Sequence, residues 1–436
     1  MGEATVRATK TVLVALVMAA VGFTSGSWLT SASGTGGPGV GTAGRAAGIG
    51  DVSSYPKIRG GVWSRGPNLT DARGNFQARQ EHGAVVLNGF VYLIGGFVPQ
   101  EPPPQPTEND PEPFPFEGTG GILVYTPVGH PTAPADEEGE WQSLPQTSSF
   151  PVSDMHHIIA VRHKGKIWAF GGHAGPFEPT RKVFAFTPTS SDAPEGTWRR
   201  VRMSDGRRCA PSTDTCLRLP RPRAAGAAVS IGNRIFLMGG VVPFRNSPDP
   251  VNASIRTTRS VISLNTAKFP LEWKEQTSLR RPREHFNAVV AKQRIWAFHG
   301  RNEASTHMRK VESWVPGSDR WRREQPAPVG TSANILARVG KCVYSFGGEF
   351  IASNVTGTLI ASQVFHLPSR SWHFLESTVE TEPLDASGAT SKHGTYGVRF
   401  RESATTKIMA PGGAATAWFD PTSKVHVFDP PAGCES

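Results

Sequence analysis

One segment recurs six times along the chain and constrains its fold more than any other feature. It consists of a histidine or small residue, an apolar strand, a polar turn, a second apolar or aromatic strand, and two glycines. The copies are residues 81–96, 156–172, 224–240, 284–300, 332–348 and 392–413. A pair of short strands cannot bury its apolar face alone, so a series of such pairs predicts a propeller or a solenoid.

The stretches between the copies extend each repeat to four strands. A third strand follows the glycine pairs at residues 121–127, 182–188, 260–266, 310–316 and 362–368. A fourth strand carries a tryptophan, and these are Trp63, Trp141, Trp198, Trp273, Trp321 and Trp372. Glycine permits a close approach of backbones where the strands crowd together. Tryptophan is large enough to fill the wedge between neighbouring sheets.

This arrangement resembles the kelch repeat over about residues 63–429. The sequence departs from that pattern at His299, which replaces the first glycine of its pair, and the third-strand tyrosine is kept only at Tyr125. Six such repeats predict an all-β, six-bladed β-propeller. The last repeat lacks a tryptophan strand, whereas residues 60–67 form one without a repeat. We therefore expect this N-terminal strand to complete the last blade and close the ring.

The first 33 residues have the order of a secretory signal. Arg7 and Lys10 precede an apolar run at residues 11–23, which is shorter than the roughly 20 residues needed to span a bilayer. We predict a signal peptide at 1–33, with an uncleaved signal anchor as the alternative, a flexible linker at 34–57, and the propeller at 58–436. The protein is then secreted or luminal and touches a membrane only if the leader stays attached. Three glycosylation sites are expected, at Asn68, Asn252 and Asn354.

The four cysteines suit an oxidising compartment. Cys209 and Cys216 flank a short insertion and predict a local disulfide. Cys342 and Cys434 fall on the same end of neighbouring blades, so they either form a bridge or remain a buried and a free thiol. The sequence has no CxxC pair that would indicate a structural zinc site. We expect no metal and no cofactor.

A formal net charge of +10 indicates an acidic partner rather than any particular fold. Basic residues recur before the third strands and after the tryptophans, where the strand directions place them on one face with the long loops. Arginine suits carboxylate, sulfate or phosphate. The predicted ligand-binding rim comprises Arg181, Lys182, Arg199, Arg200, Arg256, Arg259, Arg301, Arg309, Lys310, Arg322 and Arg323. The same residues could instead form a solvated basic surface, or the acidic loop 101–117 could cover them.

These observations predict a non-enzymatic, monomeric binding propeller whose partner is an acidic glycan or a protein, with nucleic acid not expected. No GxSxG, HExxH or phosphate-binding glycine loop is present. His82, His157, His285 and His393 are interpreted as one structural repeat position, and His173, His299 and His307 as structural as well. The kelch resemblance implies an alternative: a carbohydrate-active enzyme similar to the kelch-type sialic acid epimerases or, less well matched, to galactose oxidase. Charged residues such as Glu349 or Arg301 could act in an epimerase.

Overall fold

The computed structural model describes residues 54–107, 114–133, 139–175, 177–210, 215–243, 255–304, 306–352, 355–359, 361–379, 392–414 and 419–434. Within these ranges the chain is built from β-strands, with one 3-10 turn at Gln146–Ser148. None of the described segments forms an apolar helix long enough to cross a membrane. The predicted leader and most of the predicted linker lie outside the described residues, and the first strand begins at Lys57.

The strands form six four-stranded antiparallel units, which we number as blades 1 to 6 in chain order. From inner to outer strand, blade 1 contains Gly83–Leu87, Phe90–Ile94, Ile122–Thr126 and Glu140–Ser143; blade 2 contains Ile159–His163, Lys166–Phe170, Val183–Pro188 and Gly196–Arg200; blade 3 contains Ala227–Ile231, Arg234–Met238, Val261–Asn265 and Trp273–Gln276. Blade 4 contains Asn287–Ala291, Arg294–Phe298, Val311–Trp314 and Arg322–Arg323; blade 5 contains Ile335–Val339, Cys342–Phe346, Ser362–His366 and Ser371–Val379; blade 6 contains Val398–Glu402, Thr405–Pro411, Val425–Asp429 and Lys57–Gly66.

The outer strand of blade 6 is thus the first strand of the described chain. Lys57–Gly66 pairs antiparallel with Val425–Asp429, and Trp63 lies opposite Phe428. The same strand also pairs in parallel with Ser371–Val379, which joins blades 5 and 6 into one eight-stranded sheet. The fold is an all-β propeller, as predicted, and its N-terminal strand removes the open edge of the last blade.

A closed circle of backbone hydrogen bonds surrounds the propeller axis. One residue with positive φ, between 47° and 63°, precedes each inner strand, by two residues in blades 1 to 5 and by four in blade 6. Its N–H donates to the carbonyl oxygen of the corresponding residue in the preceding blade. In order, these ring residues are Glu81, His157, Ala225, His285, Ala333 and Gly394, and Glu81 closes the circle by donating to Gly394. Every described blade therefore donates one backbone hydrogen bond and accepts one at this level.

The double glycines form a second set of bonds between blades. The N–H of the second glycine donates to a carbonyl of the next blade, as from Gly172 to Arg223 at 2.9 Å. A Cβ on Gly240 would lie 2.4 Å from the carbonyl oxygen of Ala224, so no side chain fits there. The first glycine position has φ near 60°, a left-handed conformation that other residues adopt at a cost. His299 is accommodated there with φ of 60°, whereas its neighbour Gly300 has φ of 93°.

The apolar core is divided into clusters that lie between adjacent blades. Most of the outer-strand tryptophans are buried there; Trp63 and Trp321 are 1% exposed. Each buried aromatic removes roughly 150–250 Å² from water, which stabilises the fold by about 4–6 kcal/mol before entropy costs. The outer strands therefore hold neighbouring blades together through packing, in addition to the hydrogen bonds at the axis.

Two disulfides link the cysteines in the structure. Cys209–Cys216 closes a loop after blade 2, and Cys342–Cys434 ties the segment after blade 6 to the second strand of blade 5. The backbone N–H of Lys341 also donates to the carbonyl of Cys434 at 2.7 Å. The sequence left open whether Cys342 and Cys434 form a bridge or remain separate thiols, and the structure contains the bridge.

Short ribbons extend beyond the blades on the face where the second and third strands connect, hereafter the loop face. They pair Phe97–Pro99 with Phe116–Gly118, His173–Ala174 with Met155–His156 and Glu178–Pro179, Val241–Pro243 with Ile255–Thr257, and Glu349–Ala352 with Val355–Thr358. The ring residues lie at the same end of the blades, because each precedes an inner strand. The loop face thus contains both the predicted basic rim and the axial opening.

Candidate functional site

A cavity of about 710 Å³ opens on the loop face beside blade 2. The ribbon 178–179, the start of the third strand and the end of the outer strand form its walls. Six cationic side chains line it with one carboxylate: Arg181, Lys182, Arg199, Arg200, Arg208, Arg218 and Glu178. We call it the basic cavity. Its size is within the usual range for small-molecule sites.

The strand pairing explains why residues distant in sequence meet in this cavity. Arg200 lies opposite Phe184 and Arg199 opposite Ala185, so the end of the outer strand is next to the start of the third. Phe184 and Trp198 contribute the apolar part of the lining. The four rim residues predicted on blade 2 are therefore brought together by the antiparallel register.

Electrostatics in the basic cavity favour an anion. Burial, and to a lesser extent the charge of the neighbouring Arg218, lower the pKa of Arg200. Lys182 and Arg199 form no ion pair with any residue that the structure describes. Arg181 is held in place by a hydrogen bond from Nε to the carbonyl of Leu219 at 2.6 Å. The cationic groups are thus partly fixed and insufficiently neutralised.

The Cys209–Cys216 disulfide shapes the cavity wall. Cys209 is one of its lining residues, and the bridged segment returns to the blade through a bond from Leu217 N–H to Val201 O at 2.7 Å. Arg208 and Arg218 flank the bridged cysteines and face the same cavity. These two arginines were not among the predicted rim residues, because their position depends on how the insertion folds back.

The remaining predicted rim residues do not join this cavity. Arg256 lies on the ribbon of blade 3, with Arg259 exposed beyond it. Arg309 donates to the carbonyl of Ala327 at 2.6 Å and to the hydroxyl of Tyr55 at 3.0 Å. Lys310, Arg322 and Arg323 are exposed on blade 4. The rim therefore consists of several separate basic groups on one face, and the group on blade 2 lines the basic cavity.

Arg301 is a correction to the predicted rim, because its side chain is only 16% exposed and points to the axis. It forms ion pairs with Glu284 and Glu349, which brackets the guanidinium between carboxylates. Burial opposes charge on all three groups, but their mutual attraction prevails. It raises the pKa of Arg301 and lowers the pKa of Glu284 and Glu349 to about 2. Pairing of this kind offsets the free-energy cost of burying the cation.

Histidines also gather around the axis, but not as one repeat position. His157 and His285 are ring residues, whereas His82 follows the ring position of blade 1 and His393 precedes that of blade 6. His82 is buried between blades, and burial lowers its pKa to about 3. The expectation that the four histidines are equivalent is therefore wrong. His82 and His393 are each one residue away from the ring position.

The other three histidines separate in the structure. The ring of His173 lies 5.2 Å from that of His156 and 5.3 Å from that of His157. His307 Nδ1 lies 3.1 Å from Ser332 Oγ, which donates to Glu349 Oε1 at 3.0 Å. His299 turns away and contacts Ser345 Oγ at 3.0 Å. We call Glu81, His157, Glu284, His285, Arg301 and Glu349 the axial group. His173 and His307 border this group, and His299 is part of the packing between blades 4 and 5.

An aromatic cluster covers one side of the axial group. Phe97 stacks on His156 with ring centroids 3.8 Å apart, and it packs edge-on against Phe419 at 5.3 Å. Phe114, Phe116 and Phe177 complete the cluster. Phe177 is 40% exposed and lies in the ribbon that also borders the basic cavity. The loop face therefore offers an apolar surface next to a cationic one.

Some predicted features fall partly outside the described residues. Asn68 is exposed, as a glycan would require, whereas Asn252 and Asn354 lie outside the described ranges. The acidic loop 101–117 is described except for residues 108–113. Its returning end, Phe114 and Phe116, packs on Phe419. The described part of this loop therefore belongs to the aromatic cluster and not to the lining of the basic cavity.

Comparisons with known proteins agree with this architecture. No family model matches the chain. A kelch-like protein, terF, of Aspergillus terreus is 23% identical over 382 residues, which cover 85% of this chain and 68% of terF. Beta-scruin and alpha-scruin of Limulus polyphemus are 29% and 24% identical over 138 and 127 residues, 31% and 29% of this chain. The matched parts span only 14% and 13% of the two scruins.

Proposed function

We propose that this chain, which is similar to kelch-repeat proteins, is a non-enzymatic interaction propeller that binds an anionic partner in the basic cavity of blade 2. The supporting observation is the lining of that cavity, where six cationic side chains face a single carboxylate. Such an excess of like charge costs free energy in the unbound protein, and an anion relieves it. The proposal includes the secreted or luminal setting that the leader sequence predicts.

An acidic glycan is the partner that this lining fits best. Sulfate and carboxylate groups accept two parallel hydrogen bonds from one guanidinium. Pro151, Val152 and Pro179 add exposed or partly exposed apolar surface to the lining, which suits the apolar face of a sugar ring. An acidic peptide offers the same charge, and it is the alternative that the experiment separates.

The test compares two matched double charge reversals. Arg199→Glu/Arg200→Glu alters the basic cavity, and Arg322→Glu/Arg323→Glu makes the same charge change after the tryptophan of blade 4. Binding to an array of sulfated and sialylated glycans, and to poly-glutamate, is measured at about 0.15 M salt. We expect at least a tenfold loss of glycan binding for the first variant and less than a threefold change for the second.

Equal losses in both variants would mean that binding depends only on overall charge, and would overturn the cavity proposal. Unchanged binding in the first variant would also overturn it. Tighter binding of poly-glutamate than of every glycan would replace the glycan with an acidic peptide. Because Arg200 is half-buried, Arg199→Gln/Arg208→Gln serves as a second cavity variant made of exposed residues. Thermal melting of each variant checks that it is folded.

The second candidate function is a carbohydrate-active enzyme with its site at the axis. It is favoured by Tyr396, whose pKa is raised by burial and by the nearby carboxylates of Glu81 and Glu284. Magnetic resonance of sialic acid incubated with the protein would reveal accelerated anomer exchange if this function held. Exchange at the uncatalysed rate would leave the binding function alone.

A further inference from the structure

We propose that Glu81, His157 and His285 bind one divalent first-row transition-metal ion on the propeller axis. Each of the three offers one ligand atom, and these atoms lie within 4.8 Å of one another. Glu81 Oε2 is 3.4 Å from His157 Nε2 and 3.6 Å from His285 Nε2. Two ligand atoms bonded at about 2.0–2.2 Å to a tetrahedral ion are about 3.4 Å apart, which matches the two distances from Glu81.

The hydrogen-bonded circle places these side chains together. All three are ring residues, from blades 1, 2 and 4, and each is less than 9% exposed. The other three ring positions are Ala225, Ala333 and Gly394, which are too small to fill the space at the axis. A Cβ on Gly394 would lie 2.9 Å from Glu81 Oε1. The three large side chains of the ring therefore meet at the axis, and the three small residues leave space for them.

The hydrogen bonds of His156 determine which nitrogen of His157 faces the centre. His156 Nε2 lies 2.9 Å from the carbonyl oxygen of Gly175, which can only accept, so this nitrogen carries a proton. In the neutral ring, His156 Nδ1 is then an acceptor, and it receives the Nδ1–H of His157. His157 Nε2 consequently directs a lone pair at Glu81 Oε2, which has no hydrogen-bond partner. A cation between them removes this repulsion.

His285 is oriented by a second carboxylate. Its Nδ1 donates to Glu284, and Glu284 also pairs with Arg301. This leaves His285 Nε2 directed at Glu81. Metal-bound histidines usually donate their second ring nitrogen to a carboxylate or another acceptor, which fixes the ring and strengthens the ligand. Both histidines here have such a partner, Glu284 for one and His156 for the other.

The formal charge of the group also fits a divalent ion. The described residues around the axis include three carboxylates, Glu81, Glu284 and Glu349, and one permanently charged cation, Arg301, which pairs with Glu284 and Glu349. When both histidines act as neutral ligands, the group carries a charge of −2, and one divalent ion cancels it.

The ligand types select the class of ion. Two imidazoles with one carboxylate suit Zn²⁺, Fe²⁺, Co²⁺ or Ni²⁺, whereas Ca²⁺ and Mg²⁺ prefer oxygen ligands. Three protein ligands leave at least one coordination position open, as in sites that bind water or a substrate group rather than purely structural ones. The inference concerns the axis and does not depend on an anion binding in the basic cavity.

The test uses the tag-free, folded protein and Zn²⁺ as the probe. After treatment with a chelator, the protein is incubated with Zn²⁺, dialysed and analysed for metal by mass spectrometry. We expect about one Zn²⁺ per chain and, by X-ray absorption, two imidazole ligands at about 2.0–2.1 Å. Fewer than about 0.2 Zn²⁺ per chain in the wild type would overturn the proposal and would leave a buried cluster that shares protons.

Variants locate the ion. His157→Gln/His285→Gln should reduce the Zn²⁺ content at least fivefold, and Glu81→Gln should weaken Zn²⁺ binding at least tenfold. His163→Gln is the control, because His163 contacts Ser230 and Thr266 away from the axis. Full Zn²⁺ content in the double variant would contradict the assignment. If that variant does not fold, the number of imidazoles in the wild-type absorption spectrum decides, and one or none would overturn it.

Discussion

The rings of Trp63 and Phe428 lie 5.0 Å apart, one on the first described strand and the other on the last. Their two strands are also directly paired at this point. Trp63 packs against Phe346 of blade 5 as well, at 4.8 Å. One side chain therefore holds the outer strand of blade 6 against its own blade and against the neighbouring blade.

We predict that Trp63→Ala lowers the free energy of unfolding by about 3–5 kcal/mol, because it leaves a large cavity where the ring closes. Urea denaturation, followed by circular dichroism rather than by tryptophan fluorescence, measures this change. Phe76→Ala is the control, since Phe76 is 69% exposed and should change stability by less than about 0.5 kcal/mol. A loss below about 1 kcal/mol at Trp63 would show that closure does not depend on this packing.

The two disulfides should have different roles. Cys342–Cys434 spans a sequence separation of 92 residues and Cys209–Cys216 a separation of 7. Loop entropy then predicts about 4–5 kcal/mol of stabilisation for the first bridge and about 2–3 for the second. We expect Cys342→Ser/Cys434→Ser to lower the melting temperature more than Cys209→Ser/Cys216→Ser does.

The shorter bridge should matter more for binding, because it holds Arg208 and Arg218 at the basic cavity. Cys209→Ser/Cys216→Ser should weaken glycan binding at least threefold, with little change for the Cys342→Ser/Cys434→Ser protein. Calorimetry and the glycan array measure the two effects separately. The opposite ranking in either measurement would contradict this division of roles.

Stability should increase with pH through the titration of Lys392. Burial lowers the pKa of Lys392 to about 7, whereas an unfolded lysine titrates near 10.4. Between these values the unfolded chain binds one proton more than the folded one, so folding becomes more favourable as pH rises. The contribution is constant below about pH 7, where both states are protonated.

Lys392→Met removes this dependence. The difference in unfolding free energy, wild type minus Lys392→Met, should rise between pH 7 and pH 10 by up to about 1.4 kcal/mol per pH unit. Urea midpoints at three pH values measure it. Parallel curves for the two proteins would mean that Lys392 remains charged in the fold, stabilised by the hydrogen bond from its Nζ to the carbonyl of Lys424 at 2.6 Å.

Binding to a polyanion should depend steeply on salt. We predict release from heparin between about 0.2 and 0.5 M salt, as expected for several charge contacts. The slope of log affinity against log salt should fall by about 2 in Arg199→Gln/Arg200→Gln, one for each contact removed. An unchanged slope would mean that neither arginine contacts the polyanion.

The sequence was a good guide to the fold because its signals are periodic and local. The glycine pairs, with His299 in place of one glycine, and the tryptophans recur in phase along the chain. Together with the resemblance to the kelch repeat, this repetition predicted the propeller and the closure by the strand around Trp63. The same reasoning grouped Arg181, Lys182, Arg199 and Arg200 on one face, since alternating strand directions determine which ends lie together. Whether they bind an anion remains a prediction.

The axial group was not predicted, because its contacts join side chains of blades 1, 2 and 4. A shift of one residue decides whether a side chain points to the axis or packs between blades, and His82 and His393 were aligned with His157 one position out of register. Arg301 was placed on the rim for a related reason: its two carboxylate partners come from separate repeats. Counting back from each inner strand to its ring position would have identified Glu81, His157 and His285.

The circle of backbone bonds at the axis has no beginning, since each ring residue is both donor and acceptor. The point at which the described chain enters the propeller therefore concerns the outer strand of blade 6 and not the centre. A chain opened instead in an exposed turn of another blade, with its present ends joined, would restore the same six bonds. Deleting one repeat would leave five residues that cannot span the same circumference, so the number of blades can change only if the whole centre is rebuilt.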